Sequence, residues 1–109
     1  MIDPPAFEIE TEQRETGATI LVRGEMDIAT VQQLARAREQ VLAERPSRLL
    51  LDLREVEFVD SSGLKFLIDT LAISHEDGWR LEIDKPSQRA MRVFEVTGAI
   101  EHLPFIDRE

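Results

Sequence analysis

The segment Leu49-Leu50-Leu51-Asp52-Leu53 constrains the fold of this chain more than any other part of its sequence. A strand with one solvated face alternates apolar and polar residues, whereas this run is almost unbroken, as in strands that are buried on both faces. The run is also far shorter than the roughly 20 residues that a membrane-spanning helix needs. We therefore predict that residues 48–53 form the central strand of a sheet.

The residues at the start of the chain predict an antiparallel hairpin. Residues 7–10 alternate between apolar and polar with period two, which is typical of a half-buried strand. Residues 19–22 form a second apolar run that follows a turn at Gly17, and Gly24 breaks it. Two such runs around a short turn indicate paired strands.

A first helix is predicted between this hairpin and the central strand. Asp27 and Thr30 stand where a helix N-cap is expected, and Gln33 would complete a capping box with Thr30. We expect the helix to continue to Arg45, because Pro46 cannot extend it. Apolar residues recur at three- and four-residue spacing on its inward face: Val31, Leu34, Ala35, Val41 and Leu42.

A second helix is predicted after a loop that carries Phe58 and Val59. It would begin at residues 60–63, and Asp77-Gly78 would close it. Phe66 and Ile73 lie off its inward face, so we expect an apolar ridge that faces outward unless another core element covers it. The predicted inward residues are Leu64, Leu67, Ile68, Leu71 and Ala72.

The last third of the chain predicts one more strand and one more helix. Residues 79–83 alternate as in a strand, Ser87 would cap a third helix, and Gly98 would end it in the left-handed conformation. The apolar tail over residues 100–106 would pack against the core. The predicted inward residues of this helix are Ala90, Met91, Phe94 and Val96.

This order of elements predicts an α/β fold with a mixed β-sheet of four to five strands and helical crossovers. The 109 residues, 42% of them hydrophobic, suffice for a core without metal or disulfide. We expect a single domain over residues 1–109, in which residues 1–6 are flexible, and a monomer, although the sequence leaves the oligomeric state open.

The charge balance narrows the classes of partner. The chain carries 22 acidic and 13 basic residues, a net charge of -9, and no cysteine. An acidic surface repels phosphate backbones and anionic lipid, so we expect neither nucleic acid nor a membrane as a partner. The start of the chain lacks the basic and apolar regions of a signal peptide, and the missing cysteines fit a reducing compartment, so we expect a cytoplasmic protein.

Signals for catalysis are weak. His75 and His102 have no metal-ligand or nucleophile partner at local spacing, and no glycine-rich phosphate loop is present. Asp52 and Asp60 follow apolar segments and could hold Mg²⁺ in a phosphotransfer site, although roles as N-caps and turn residues are the simpler explanation of such aspartates. We expect no cofactor and no enzymatic activity.

The segment Asp60-Ser61-Ser62-Gly63-Leu64 places two hydroxyl groups at the predicted start of a helix. Free backbone N–H groups and the macrodipole make a helix N-terminus favourable for an anion such as phosphate. The simpler alternative is that Ser61 or Ser62 is the N-cap of the helix.

Three segments, in order and at fitting spacing, resemble the STAS domain (sulphate transporter and anti-sigma factor antagonist). They are Gly24-Glu25-Met26-Asp27-Ile28-Ala29-Thr30, then residues 51–53 with Val56, Phe58 and the Asp-Ser-Ser-Gly-Leu string at residues 60–64, and finally residues 92–98. The resemblance extends from about Phe7 to Asp107.

The resemblance implies a function. In stand-alone bacterial members, the first serine of the Asp-Ser-Ser-Gly motif is phosphorylated by an anti-sigma factor serine kinase, and the unphosphorylated form binds that kinase and frees a sigma factor. Carried over, the acceptor is Ser61. The implied partner-binding residues are Glu25, Asp27, Asp60, Ser61, Ser62, Gly63 and Lys65.

Two points stay open in this interpretation. The family usually has a small residue where this chain has Lys65, which could pair with a phosphate on Ser61 or be ordinary surface variation. The chain could also be a STAS subunit of a larger complex, such as a lipid-transport or stress-signalling assembly, in which Ser61 is not modified.

Overall fold

The computed structural model describes residues 7–107, so the expectation for residues 1–6 lies outside the described part of the chain. A hairpin opens the fold, as predicted. Strand β1 (Glu8–Arg14) pairs antiparallel with β2 (Gly17–Met26). The apolar residues of β2 alternate with less buried ones, so one face of this strand enters the core.

Five strands form one mixed sheet in the order β1-β2-β3-β4-β5. Strand β3 (Arg48–Val59) is central, and β4 (Arg80–Asp84) and β5 (Phe105–Ile106) continue the sheet in parallel. Helices α1 (Val31–Leu42), α2 (Ser61–Asp77) and α3 (Gln88–Thr97) make the three parallel crossovers. The predicted α/β fold with a mixed five-stranded sheet is confirmed.

The central strand is buried on one face and covered in part on the other. Leu49, Leu51 and Leu53 are fully buried, whereas Leu50 is half-buried. On that second face the Asp52 carboxylate is buried because Arg54 lies over it, with Nη2 at 2.8 Å from Asp52 Oδ2. This contact raises the pKa of Arg54 above its ordinary value, since the guanidinium is hydrogen-bonded to the carboxylate.

Three predicted boundaries are wrong. Strand β2 continues to Met26 through Gly24, which was predicted to break it. Strand β3 continues through Phe58 and Val59, which were predicted to lie in a loop. Helix α1 ends at Leu42 instead of Arg45, because Arg45 adopts a left-handed backbone with a φ of 52° and the chain turns before Pro46. The other helix ends agree with the sequence, since Gly78 and Gly98 both end their helices in the left-handed conformation.

The buried faces of two helices differ in part from the prediction. The sequence left open whether Phe66 faces outward or is covered, and it is covered by α1, with only 6% exposed. The Arg38 guanidinium lies 4.7 Å from its ring centroid and donates to Thr70 Oγ1 at 2.7 Å. Val96, predicted to face inward, is 80% exposed. It lies two residues, or about 200°, from the buried Phe94 around the helix axis. Ile68 and Ala72 of α2 are also exposed.

We predict that Phe66→Ala lowers the free energy of unfolding by about 3–5 kcal/mol, since it removes a buried aromatic ring between α1 and α2. Val96→Ala is the matched control and should change this free energy by less than about 0.5 kcal/mol, since its side chain is exposed. Urea denaturation of both variants measures the difference. Equal losses in the two variants would contradict the burial described here.

Candidate functional site

The ends of β2 and β3 bring the two predicted site segments together. Glu25 lies beside Phe58 in the parallel register, and Met26 lies beside Val59. The Asp60 N–H, directly after β3, donates to the Met26 carbonyl at 3.0 Å. The carboxyl ends of parallel strands share one edge of a sheet, and it is this edge that holds both segments.

Gly63 permits the first turn of α2 to lie directly on this edge. A Cβ at position 63 would stand 2.6 Å from the Met26 carbonyl oxygen and 2.9 Å from Cγ1 of Val59. Both distances are shorter than real Cβ contacts, so a side chain here would push the helix away from the strands. Gly63 is itself buried, so it contributes to the site by letting the first turn of α2 lie against the strands.

Asp60 is the N-cap of α2. Its Oδ1 accepts hydrogen bonds from Ser62 N at 2.8 Å and Gly63 N at 3.0 Å, and its carbonyl accepts the first helical bond from Leu64 N. The simpler expectation that Ser61 or Ser62 caps the helix is thus wrong. The Asp60 carboxylate already uses two of the N–H groups that an anion at this helix end would need.

Ser61 is therefore free of a capping role. It is the first residue of α2 and is exposed, whereas Ser62 is half-buried. Within residues 7–107, the Ser61 hydroxyl has no hydrogen-bond partner in the structure. Its oxygen can be reached from solvent without breaking any contact that holds the fold.

Asp27 and Thr30 build the turn between β2 and α1. Asp27 Oδ1 accepts from Ala29 N at 2.9 Å and from Thr30 N at 3.1 Å. The Thr30 hydroxyl accepts from Asp27 N and donates to the Glu25 carbonyl at 2.9 Å. This hydroxyl makes no cap bond to α1, so the predicted capping box with Gln33 is wrong.

Two exposed apolar side chains accompany these polar residues, and sequence reasoning did not select them. Ile28 is 77% exposed within the Asp27–Thr30 turn, and Phe58 is 48% exposed beside Glu25. Since Thr30 ties the turn to the Glu25 carbonyl, both apolar residues lie close to the end of β2. The signal was present in the sequence, because both fall inside the segments that resemble the family.

Lys65 is the one predicted contact residue that carries a positive charge. It lies on α2 and its Nζ pairs with Asp69 Oδ2 at 2.8 Å, with the two side chains 75% and 50% exposed. Glu25 is also exposed, whereas Asp27 and Asp60 are half-buried by the turn and cap that they form.

The structure does not bring Asp52 and Asp60 together. The part of β3 that lies between them is about 25 Å long, at 3.3 Å per residue. Two carboxylates this far apart cannot hold one Mg²⁺ ion. Among residues 7–107, no three histidine or acidic side chains are grouped closely enough to hold a metal, and none of the helices is long and apolar enough to cross a membrane.

Comparison with known proteins identifies relatives of this chain. The family model described as "Mlab, STAS domain" matches residues 9–104. The anti-sigma-B factor antagonist of Bacillus subtilis (strain 168) is 29% identical over 90 residues, which cover 83% of this chain and 82% of that protein. The protein of the same name from Staphylococcus aureus (strain NCTC 8325 / PS 47) is 30% identical over 90 residues, which cover 83% of each chain.

Solved structures share the fold. The crystal structure of an anti-sigma factor antagonist from Mycobacterium paratuberculosis matches with a TM-score of 0.83 and 26% identity, over 99% of this chain and 92% of that chain. The unphosphorylated form of the anti-sigma factor antagonist SpoIIAA matches with a TM-score of 0.75 and 20% identity, over 95% and 89% of the two chains. Since the family model covers far more than half of the sequence, this chain belongs to the STAS domain family.

Proposed function

We propose that this protein is a partner-switching regulator that binds an anti-sigma factor kinase while Ser61 is unmodified and releases it when Ser61 is phosphorylated. The observation that carries this proposal is the exposed Ser61 hydroxyl at the start of α2, held in place by the Asp60 cap and by Gly63. The names of the bacterial relatives, which are anti-sigma factor antagonists, support it. The protein would act in the cytoplasm and would itself catalyse nothing.

The phosphoryl transfer would occur in the active site of the kinase. Ser61 Oγ attacks the γ-phosphorus of a nucleoside triphosphate, the bond from that phosphorus to the bridging oxygen breaks, and the diphosphate leaves. A kinase carboxylate takes the hydroxyl proton. On this chain the reaction needs only a hydroxyl that is accessible and rigidly placed, and Ser61 has both properties.

Phosphorylation should change the surface without changing the fold. It adds about -1.5 to -2 charges next to the Asp60 carboxylate. Because Asp60 already accepts from the N–H groups of Ser62 and Gly63, the phosphate has no reason to enter the helix end, and it would project toward the partner. Loss of about 3 kcal/mol of association energy, by repulsion and by the bulk of a hydrated phosphate, lowers affinity roughly a hundredfold.

The exposed residues around unphosphorylated Ser61 indicate which chemical groups the partner should present. Ile28 and Phe58 are exposed apolar side chains near the acidic Glu25, since Phe58 lies beside it in the strand register and Ile28 lies in the turn bonded to its carbonyl. Large apolar side chains at the centre of an interface contribute most of its affinity, and flanking charges set orientation and association rate. The partner should therefore offer an apolar recess with a basic residue at its rim.

The first prediction of this proposal concerns the acceptor. Each candidate anti-sigma factor kinase of the source genome is purified and incubated with radiolabelled ATP and this protein. We expect label on the parent protein and on Ser62→Ala, and none on Ser61→Ala, with the phosphate mapped to Ser61 by mass spectrometry. Stable binding to a larger assembly with no labelling by any kinase would favour the alternative, a STAS subunit without a switch.

The second prediction separates the structural and contact roles of Asp27. Asp27→Ala removes the acceptor for two backbone N–H groups and should lower the free energy of unfolding by about 1 kcal/mol. Asp27→Asn keeps an oxygen at Oδ1 and should retain stability to within about 0.5 kcal/mol. If the carboxylate charge contacts the kinase, both variants bind it more weakly; if Asp27→Asn binds like the parent, Asp27 serves the turn alone.

The third prediction concerns the apolar contact. Ile28→Ser and Phe58→Ser should each weaken kinase binding by about fivefold or more, since truncation at an interface centre costs more than about 1 kcal/mol. Val96→Ser is the matched control, because it removes an apolar side chain about as exposed as Ile28 at a different place in the fold. Titration calorimetry measures the affinities. Equal binding by all three variants would place the interface elsewhere.

A further inference from the structure

Three residues of α2 share one face of the helix in the order Ser61, Lys65 and Asp69. They are four residues apart, so each lies about one turn above the previous one, and all three are exposed. Side chains on a helix lean toward its N-terminus, which directs a residue toward the one four positions before it. Lys65 is thus placed to contact position 61 as readily as position 69.

In the unmodified protein Lys65 pairs with Asp69, at 2.8 Å between Nζ and Oδ2. In this pair the base precedes the acid along the helix. The reverse order, with the acid four residues before the base, is the more stabilising of the two arrangements. A phosphate on Ser61 would create that better order with Lys65, and it would carry up to twice the charge of Asp69.

Arg38 is a second cation near Asp69, so Asp69 can lose its ion pair with Lys65. Arg38 of α1 packs against this part of α2, where it covers Phe66 and donates to Thr70. Burial lowers the pKa of Arg38, and the electrostatic effect of Asp69 partly opposes that change. The Asp69 carboxylate therefore interacts electrostatically with a second cation, Arg38, as well as with Lys65.

We propose that Lys65 binds the phosphate of phosphorylated Ser61, leaving Asp69 in order to do so. This inference rests on the proposed function in one respect, that Ser61 is the modified residue. Its consequence is that phosphorylation alters the surface from Ser61 to Asp69, a length of about 12 Å along α2. The modified surface loses the Lys65–Asp69 ion pair and gains an Asp69 carboxylate that no longer pairs with Lys65.

The other charged groups near Ser61 would not take this role. Asp60, Asp27 and Glu25, at the adjoining strand ends, are acidic and would repel a phosphate. The other lysine of the chain is Lys85, which directly follows Asp84. In the strand register Asp84 lies beside Asp52, in the middle of β3. The Lys85 Nζ lies 2.9 Å from Asp107 Oδ1. It is therefore far from the end of β3 where Ser61 lies.

The test uses the full chain with phosphoserine incorporated at position 61 during synthesis, so that no kinase is needed. Phosphorus-31 NMR follows the second ionisation of the phosphate, which occurs at about pH 6 in the absence of partners. A bound lysine favours the dianion and lowers the phosphate pKa. We expect Lys65→Gln to raise this pKa, Asp69→Asn to lower it by removing the competing carboxylate, and Lys65→Arg to restore the parent behaviour.

Lys85→Gln is the matched control, since it removes the same charge and should leave the phosphate pKa unchanged at physiological ionic strength. Equal phosphate pKa values in the parent and in Lys65→Gln would overturn the proposal, as would equal shifts in Lys65→Gln and Lys85→Gln. These outcomes do not depend on whether a kinase modifies Ser61. Failure of the proposed function is instead measured by the kinase labelling described above.

Discussion

The contact between the first turn of α2 and the end of β2 determines how the rest of the site is arranged. The Met26 carbonyl accepts a hydrogen bond from Asp60 and stands 2.6 Å from the point where a Cβ on Gly63 would lie. No other residue type lets the helix start this close to two parallel strands. With the helix held there, the Asp60 carboxylate reaches the N–H groups of Ser62 and Gly63, and the Ser61 side chain is left outside.

The same edge divides its residues into those that set the backbone and those that face solvent. The polar side-chain atoms of Asp27, Thr30 and Asp60 make local hydrogen bonds, and Gly63 is buried. Glu25, Ile28, Phe58, Ser61 and Lys65 have exposed side chains that hold no part of the backbone. A phosphate can therefore be added at Ser61 without breaking a contact on which folding depends.

Much of this fold follows from short-range signals. The apolar run at residues 49–53, the turn at Gly17 and the left-handed glycines Gly78 and Gly98 predicted their elements correctly, because each acts through its immediate neighbours. The sequence left open whether Phe66 is covered, and Arg38 from a separate element decides it. The predicted capping box failed for a local reason, because the Thr30 hydroxyl bonds to the Glu25 carbonyl five residues earlier.

The length of β3 was missed for a related reason. Its pairing with β2 shifts register twice, between Leu21 and Arg23 and between Gly24 and Glu25, so the alternation of buried and exposed residues changes phase. The candidate site residues were selected through the motif, whereas Ile28 and Phe58, which lie in the same segments, were not selected, since exposure depends on what the fold leaves uncovered. The motif also does not reveal that Asp60, and not a serine, is the N-cap of α2.

The separation of backbone-setting from exposed residues has a consequence for cells that contain several proteins of this kind. Ile28, Phe58 and Lys65 lie outside the buried core, so duplicated genes can diverge at these positions while the accessible serine keeps its place. Under the proposed function, each copy can then come to recognise its own kinase and reject the others. Parallel pathways built on such switches would in this way remain insulated from one another although they share one architecture.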